Sequence, residues 1–303
     1  ARIAKDLAGT LELKGDSASR ERSAVASLEG SGDGFGLHAD AYSRQSDNVA
    51  IPGGRIWNSA SHSKGGALGG SLIGDAGFIG IGVSRFDDHY GIPQAVNDPT
   101  VSTHIDMRQD RIALRGAFNP DAGPIDVLHF SATHGDYAHA EVDSAGAIGT
   151  RFTQLGDELR ITADHHLGGL KGTIGAQYRN IDFAALGSES FVPASRTRSL
   201  GAFAFEQYPR EQVTLEGGLR IEQQSVTPSG ASHLPAQSGT TVGAALGALW
   251  HFGPALSLAA NVTRSERHAA ALELYADGAH EATHQYLLGN TSLRPESATS
   301  VDF

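Results

Sequence analysis

Short and long links alternate between amphipathic segments along most of this chain, and this regularity limits the possible folds. In the clearest segment, residues 213–222, apolar side chains alternate with threonine, glutamate and arginine, the period-two pattern of a half-buried strand. Tight links such as 74–76 and 167–169 alternate with long ones such as 223–239 and 265–296. An antiparallel meander of this kind has all its short links at one end and all its long links at the other.

Fourteen segments carry the alternating pattern and are predicted to be strands. They are Leu7–Lys14, Arg22–Glu29, Phe35–Ser43, Gly65–Ile73, Gly77–Phe86, Met107–Phe118, Ile125–His134, Asp157–Asp164, Lys171–Asn180, Arg196–Gln207, Val213–Glu222, Thr240–His251, Ala255–Arg264 and Ser297–Phe303. We therefore predict an all-β chain with an antiparallel, up-and-down order of strands.

The length and composition of these segments favour a transmembrane β-barrel. A tilted strand needs roughly 9–11 residues to cross hydrocarbon, whereas soluble strands average about 5–6. The apolar faces are rich in Ala and Gly, which suffice for lipid contact but pack a sandwich core poorly. Trp250 and Phe252, beside a tight turn, are typical of an aromatic girdle. A soluble β-sandwich or solenoid remains the alternative.

Charge and cysteine content exclude several classes of function. The chain has 23 Lys+Arg against 34 Asp+Glu, a net charge of −11, which argues against a nucleic-acid partner and favours cationic ligands. With no cysteine among its 303 residues, it has neither disulfides nor thiolate metal sites. No signal peptide precedes the first strand, so we expect a processed chain or a fragment.

One long link carries a recognisable motif. Glu273-Leu274-Tyr275-Ala276-Asp277-Gly278-Ala279-His280 is followed by Gly289-Asn290-Thr291-Ser292-Leu293-Arg294-Pro295-Glu296. This pair resembles the late-barrel signature of TonB-dependent outer-membrane receptors. The stretches 90–93, 134–141 and 182–187 resemble the same family, and 191–201 resembles in particular its zinc-uptake branch, to which the joint set points.

The resemblance implies a bacterial outer-membrane barrel of 22 strands with an N-terminal plug. About 14 of those strands are present, so residues 1–303 are expected to be part of one barrel domain, and no plug domain is identified. The implied partners are outer-membrane lipid and the TonB energy-coupling protein, which would act through a plug segment not in this chain.

Histidines concentrate in the long links, which indicates a divalent metal as ligand. His62, His89, His104, His139, His233, His268, His280 and His284 all fall there. Imidazole and carboxylate are common zinc ligands, and Glu141 lies beside His139 in sequence. We predict metal ligands in the order His280, His139 with Glu141, then His284 and His89. Capture is expected to weaken below about pH 6, as imidazole protonates.

The sequence His280-Glu281-Ala282-Thr283-His284 has the spacing of a zinc protease motif. We reject that interpretation because Gly278 and Gly289 flank it as loop formers, and a third ligand at the required spacing is missing. No enzyme activity, prosthetic group or nucleotide cofactor is predicted.

The predicted function is therefore uptake of zinc or a similar metal through a TonB-dependent receptor. Three alternatives stay open at this point: a haem or metal-chelate receptor of the same class, a passive 14-stranded porin, and a soluble β-rich binding module.

Overall fold

The computed structural model describes residues 6–93, 100, 102–120, 123–280 and 285–303. Within them a single sheet of 14 strands dominates, and two small hairpins accompany it. Its strands are β1 (Ala8–Gly15), β2 (Arg22–Gly32), β3 (Phe35–Ser46), β6 (Ser61–Gly74), β7 (Gly77–Gly91), β8 (His104–Phe118), β9 (Ile125–Val142), β10 (Ile148–Leu167), β11 (Leu170–Gly187), β12 (Ser195–Pro209), β13 (Val213–Pro228), β14 (Gln237–Gly253), β15 (Leu256–Arg267) and β18 (Glu296–Asp302).

Each strand of the large sheet pairs antiparallel with the next one along the chain, so the predicted all-β meander is confirmed. All 14 predicted strands are present, and the tight links all lie at one end of the sheet. The link between β10 and β11 shows the chemistry of that end: Gly168 takes a φ of 62°, which glycine adopts without steric cost. β1 and β18 form the two edges.

The strands extend well beyond their predicted ends on the long-link side. The link predicted at 135–156 is reduced to 143–147, since β9 and β10 remain paired up to Val142 and Ile148. Some of these extensions carry polar side chains on both faces, as Asp88 and His89 of β7 do, so the hydrophobic alternation fades while the backbone hydrogen bonding continues. Sequence periodicity therefore marks where the apolar band ends, not where the strand ends.

The register divides the sheet into an apolar face and a polar face. Leu215, Leu219 and Ile221 share the apolar face, and each remains about half exposed in the chain alone. Glu216 and Arg220 lie on the polar face, together with their cross-strand partners on β12 and β14. Two faces of this kind match the lipid-facing and water-facing surfaces that the sequence predicts.

The long links contain short elements that the sequence did not predict. A small hairpin joins β4 (Ala50–Ile51) to β5 (Gly54–Arg55), and a 3₁₀ turn spans Gly230–Ser232. The longest link holds the helix α1 (Ala271–Tyr275) and a hairpin of β16 (Asp277–His280) with β17 (Gln285–Leu288). Among the described residues, no helix is both long enough and apolar enough to cross a bilayer.

The aromatic pair expected at the membrane interface is present at the tight-turn end. The rings of Trp250 and Phe252 stack with centroids 4.9 Å apart, and both are about half exposed. Exposed aromatic rings at this level are typical of a girdle at the interface.

Substitution of Leu246 by arginine tests the lipid-facing assignment. Leu246 lies in the middle of the apolar face of β14. We expect Leu246→Arg to lower the free energy of unfolding in lipid vesicles by ~2–4 kcal/mol, the cost of a cation near the bilayer midplane. Thr263→Arg, on the polar face of β15 at the same level, is the control and should change the unfolding free energy little. Equal destabilisation by both variants would contradict the assignment.

Candidate functional site

The long link after β15 folds back onto the polar face of the sheet. Leu274 and Tyr275 of α1 are only 3% exposed, although they lie in a connecting segment. They pack with Phe152, Phe191 and Val226 in the one cluster of buried apolar side chains found in the described part of the chain. Burial of these side chains fixes the position of the whole segment.

Hydrogen bonds anchor the same segment to the neighbouring links. The Tyr275 hydroxyl donates to the carbonyl oxygens of Val226, at 3.2 Å, and Pro235, at 3.0 Å. The Asp277 amide donates to the carbonyl oxygen of Phe191 at 2.7 Å. Because its hydroxyl has hydrogen-bond acceptors, burial of Tyr275 does not leave a polar group unpaired.

The second half of the motif closes the segment on itself. The Gly289 amide donates to Ala276 O at 2.6 Å, and the Asn290 amide donates to Glu273 O at 2.9 Å. A Cβ at Gly289 would lie 2.7 Å from the carbonyl carbon of Leu274, closer than real Cβ atoms approach. The motif residues therefore specify how the link folds.

An ion network holds the start of α1. Arg267 donates to both carboxylate oxygens of Glu273, at 2.9 and 3.0 Å, and to Glu296 at 2.8 Å. Glu273 also accepts the amide of Ala270, as one half of a capping box. The Arg267 guanidinium and this amide lower the pKa of Glu273 to about 2, and the two carboxylates raise the pKa of Arg267.

Docking of the segment brings His280 to Glu141. The His280 Nε2 atom lies 3.1 Å from Glu141 Oε1, although 139 positions separate the two residues in sequence. Glu141 is 6% exposed and projects from the polar face of β9 near its end. The Phe191 ring lies 4.8 Å from the His280 ring and shields this side of the pair. The result is a buried carboxylate in contact with an imidazole.

His139 lies two residues from Glu141 on the same face of β9. Its ring stacks on Phe152 at 4.5 Å, and its Nδ1 atom lies 2.9 Å from the Tyr137 hydroxyl oxygen. Burial lowers the pKa of His139, with His280 adding to this effect and Glu141 opposing it. A neutral His139 whose Nδ1–H donates to Tyr137 presents the Nε2 lone pair to a metal.

The structure brings some of the predicted site residues together and separates others. His280 and Glu141 are in contact, and His139 adjoins them across Phe152. His139 and Glu141 lie within strand β9, so their placement in a long link was wrong: backbone pairing continues past the apolar band.

His89 does not join these residues. It lies within β7, on the face that carries Ile81 and Val83, opposite to the polar face. The prediction that His89 gathers with the others over one mouth is therefore not met, since the strand places its side chain on the other side of the wall. His284 lies outside the described residues.

Most other histidines have carboxylate partners within the sheet. His134 lies 2.8 Å from Asp157, and His166 lies 2.6 Å from Asp126. His38 contacts both Glu29 and Asp40 on the polar face. Contact with a carboxylate is thus the ordinary arrangement of a histidine in this sheet.

Sequence reasoning did not identify Phe152 or Asp106, and it identified Phe191 only as part of the stretch 191–201, with no role in the site. The two phenylalanines enclose the His280 imidazole, and Asp106 faces His89 across β7 and β8. Asp106 is identifiable only once the strand register is known.

A family model covers nearly the whole chain. Residues 27–303 match the family described as TonB dependent receptor-like, beta-barrel.

Solved structures share the fold at low sequence identity. The copper transporter OprC aligns over 99% of this chain and 51% of its own, with a TM-score of 0.79 and 13% identity. A double mutant of the Serratia marcescens hemophore receptor HasR, in complex with its hemophore HasA and haem, aligns over 99% of this chain and 51% of its own. Its TM-score is 0.78 and its sequence identity is 16%. The siderophore receptor PirA from Pseudomonas aeruginosa aligns over 99% of this chain and 53% of its own, with a TM-score of 0.74 and 14% identity. The chain therefore spans about half the length of these proteins.

Gly289→Ala tests whether the motif positions the link. The added methyl group would collide with the backbone of α1, so we expect the docked state to lose about 1–3 kcal/mol, the usual cost of overpacking. Limited proteolysis should then cut 268–295 faster. Gly230→Ala is the control, because open space surrounds a Cβ at that position. An unchanged cleavage rate in Gly289→Ala would contradict this role.

The Arg267 network predicts an acid-sensitive link. Because the pKa of Glu273 is lowered in the folded link, its carboxylate stabilises the folded link at pH values above its usual pKa of 4.5. This stabilisation is lost as the pH falls toward about 2. Amide exchange at 271–278, corrected for its intrinsic pH dependence, should therefore speed up between those pH values. Glu273→Gln should show faster exchange already at pH 7 and no further acid step. A step of the same size in Glu273→Gln would assign it to other groups.

Proposed function

The chain belongs to the family of TonB-dependent receptor β-barrels, and from the buried Glu141–His280 pair we propose that it serves the uptake of a divalent metal such as zinc. Proteins of this family are outer-membrane β-barrels of bacteria that act as receptors and transporters. In that setting the apolar face contacts lipid, the polar face lines the lumen, and the long links lie outside the cell.

The pair carries the proposal because a buried carboxylate rarely stands without a compensating cation or hydrogen bonds. Glu141 and His280 lie on the polar face of the sheet where the link after β15 folds over it. In the proposed function, a cargo moving inward would meet them there. We propose His139 as the third ligand, reached by rotation of its side chain off the Phe152 ring. Two imidazoles and a carboxylate form a donor set that zinc accepts.

Below the pair, the lumen wall offers a charged route. Arg220 contacts Glu222 and lies over the Phe203 ring at 5.7 Å, with Arg179 and Glu158 facing each other as direct partners on β11 and β10. A cation released from the pair would meet carboxylates and guanidinium groups in alternation, so no single site would hold it strongly. We propose that release is coupled to TonB through a plug segment.

Copper is a second candidate cargo because of one neighbouring side chain. Met107, the single methionine of the chain, is the cross-strand partner of His139 and faces the lumen with it. Thioether sulfur favours Cu(I) over zinc, so a site that recruits Met107 together with His139 would select copper.

Calorimetric titration of the intact, detergent-purified protein with zinc tests the proposal. We expect Glu141→Gln and His280→Ala each to weaken one binding event by at least about tenfold, since even the hydrogen-bonding partners of metal ligands contribute that much. The control is His134→Ala, a histidine paired with Asp157 on the lipid-facing side of the sheet. Because burial lowers the pKa of His139, the contribution of His139 to zinc binding should persist to a lower pH than that of an exposed histidine.

Other cargoes and activities give different results in the same preparation. Met107→Leu should leave zinc binding unchanged, and loss of Cu(I) binding in that variant would favour copper. Haem binding abolished by His280→Ala would assign haem as cargo, and ion conductance in planar bilayers without TonB would indicate a porin. Zinc affinities equal to wild type in both Glu141→Gln and His280→Ala would overturn the site.

A further inference from the structure

A second group of metal-ligating side chains lies on the outer surface of the barrel wall. His89 of β7 and Asp106 of β8 are direct cross-strand partners, and His104 is two residues from Asp106 on the same face. We call His89, His104 and Asp106 the outer cluster. Its side chains share a face with Ile81 and Val83, so they point away from the lumen and from Glu141.

The three side chains already converge on one point. His89 Nδ1 lies 2.5 Å from Asp106 Oδ1, and His104 Nε2 lies 3.7 Å from Asp106 Oδ2. The two imidazole rings have centroids 4.6 Å apart, and all three ligand atoms lie within 4.8 Å of one another. Ligand atoms around a tetrahedral zinc ion lie about 3.3 Å apart, given Zn–N distances near 2.0–2.1 Å. Small side-chain rotations would close the group on an ion.

The cluster stands above the lipid-facing band. Above Val83, the two strands carry the cross-strand ion pairs Arg85–Asp110, at 2.6 Å, and Arg108–Asp87, at 3.0 Å, before the cluster begins. His89 is six positions beyond Val83, a rise of about 20 Å along a strand. The cluster is therefore accessible from the extracellular medium, and the side chains of His89 and Asp106 are each 55% exposed.

A possible fourth ligand lies on the next strand. His62 of β6 is the direct partner of His89 and shares its face. Side chains in such pairs have Cβ atoms about 4.5–5.5 Å apart, within reach of one bound ion. Lys64 and Asp87 form the next pair down on this face, and Asp87 also pairs with Arg108.

The second imidazole distinguishes this cluster from the ion pairs elsewhere in the sheet. His134 has Asp157 as its carboxylate partner, and His166 has Asp126. Among the residues that the structure describes, the outer cluster is the group of three metal-ligating side chains whose ligand atoms all lie within 4.8 Å of one another. A bound metal ion would satisfy both imidazole nitrogens and the carboxylate at once.

We propose that the outer cluster binds one divalent transition-metal ion of the zinc class on the extracellular side of the wall, with His62 as the fourth ligand. This site is separate from the lumen pair and does not depend on the proposed uptake function. It would hold metal at the cell surface, outside the transport path.

Zinc titration of the intact protein in detergent, in a background that carries Glu141→Gln and His280→Ala, tests the proposal. We expect this background to retain one zinc ion, and X-ray absorption of the bound zinc should show nitrogen and oxygen neighbours only. Adding His104→Ala or Asp106→Asn should weaken this binding by at least about tenfold. Adding His62→Ala should reduce the number of imidazoles that the absorption spectrum detects from three to two.

His134→Ala in the same background is the matched control, since it also removes an outward-facing histidine that is paired with an aspartate. It should leave zinc affinity unchanged, and circular dichroism should show the same strand content for every variant. A background protein that binds no zinc would overturn the proposal. So would equal zinc affinity with and without His104→Ala and Asp106→Asn, which would leave the cluster as an ion pair only.

Discussion

The backbone hydrogen bonds between neighbouring strands are the constraint on which this structure depends. In hydrocarbon an unpaired amide or carbonyl group costs several kcal/mol, so every strand must have a partner along its whole lipid-exposed length. Each interior strand of the sheet meets this demand by pairing with the strands before and after it in the chain. The pairing does not stop at the apolar band, and the extensions above it form the rigid wall that carries Glu141 on one face and His89 on the other.

Period-two alternation and turn chemistry were enough to predict the 14 strands, their antiparallel order and their two faces, because lipid contact imposes apolar residues on every second position. The upper strand ends were not predictable from the same signal. Around Asp136 and Asp157 both faces meet water, so the sequence loses its alternation while the hydrogen bonding persists. As a result, the sequence pattern led to a prediction of His139 and Glu141 as loop residues, although they belong to β9.

The candidate site was predictable in its residue types but not in its grouping. His280, His139 and Glu141 were identified from chemistry and from a family resemblance, yet their proximity requires a link that folds over the lumen. The motif residues Leu274, Tyr275 and Gly289 account for that folding through burial, hydrogen bonds and close backbone approach. The motif that identifies the family thus also determines the position of a candidate ligand, His280, which stands within it.

Pairing of histidine with carboxylate is widespread in this sheet, so residue type alone does not identify a metal site. Two features distinguish the candidate metal sites from the other histidine–carboxylate pairs: burial of the carboxylate at Glu141, and convergence of three ligand atoms in the outer cluster. Glu141 is buried and contacts the His280 imidazole, which packs beside the Phe191 ring, and a bound cation offsets the cost of burying a carboxylate. The outer cluster is exposed, and a second imidazole beside the aspartate sets it apart. A metal in the lumen would therefore be held by electrostatic attraction in a low-dielectric setting, and one on the outer wall by the number of ligands.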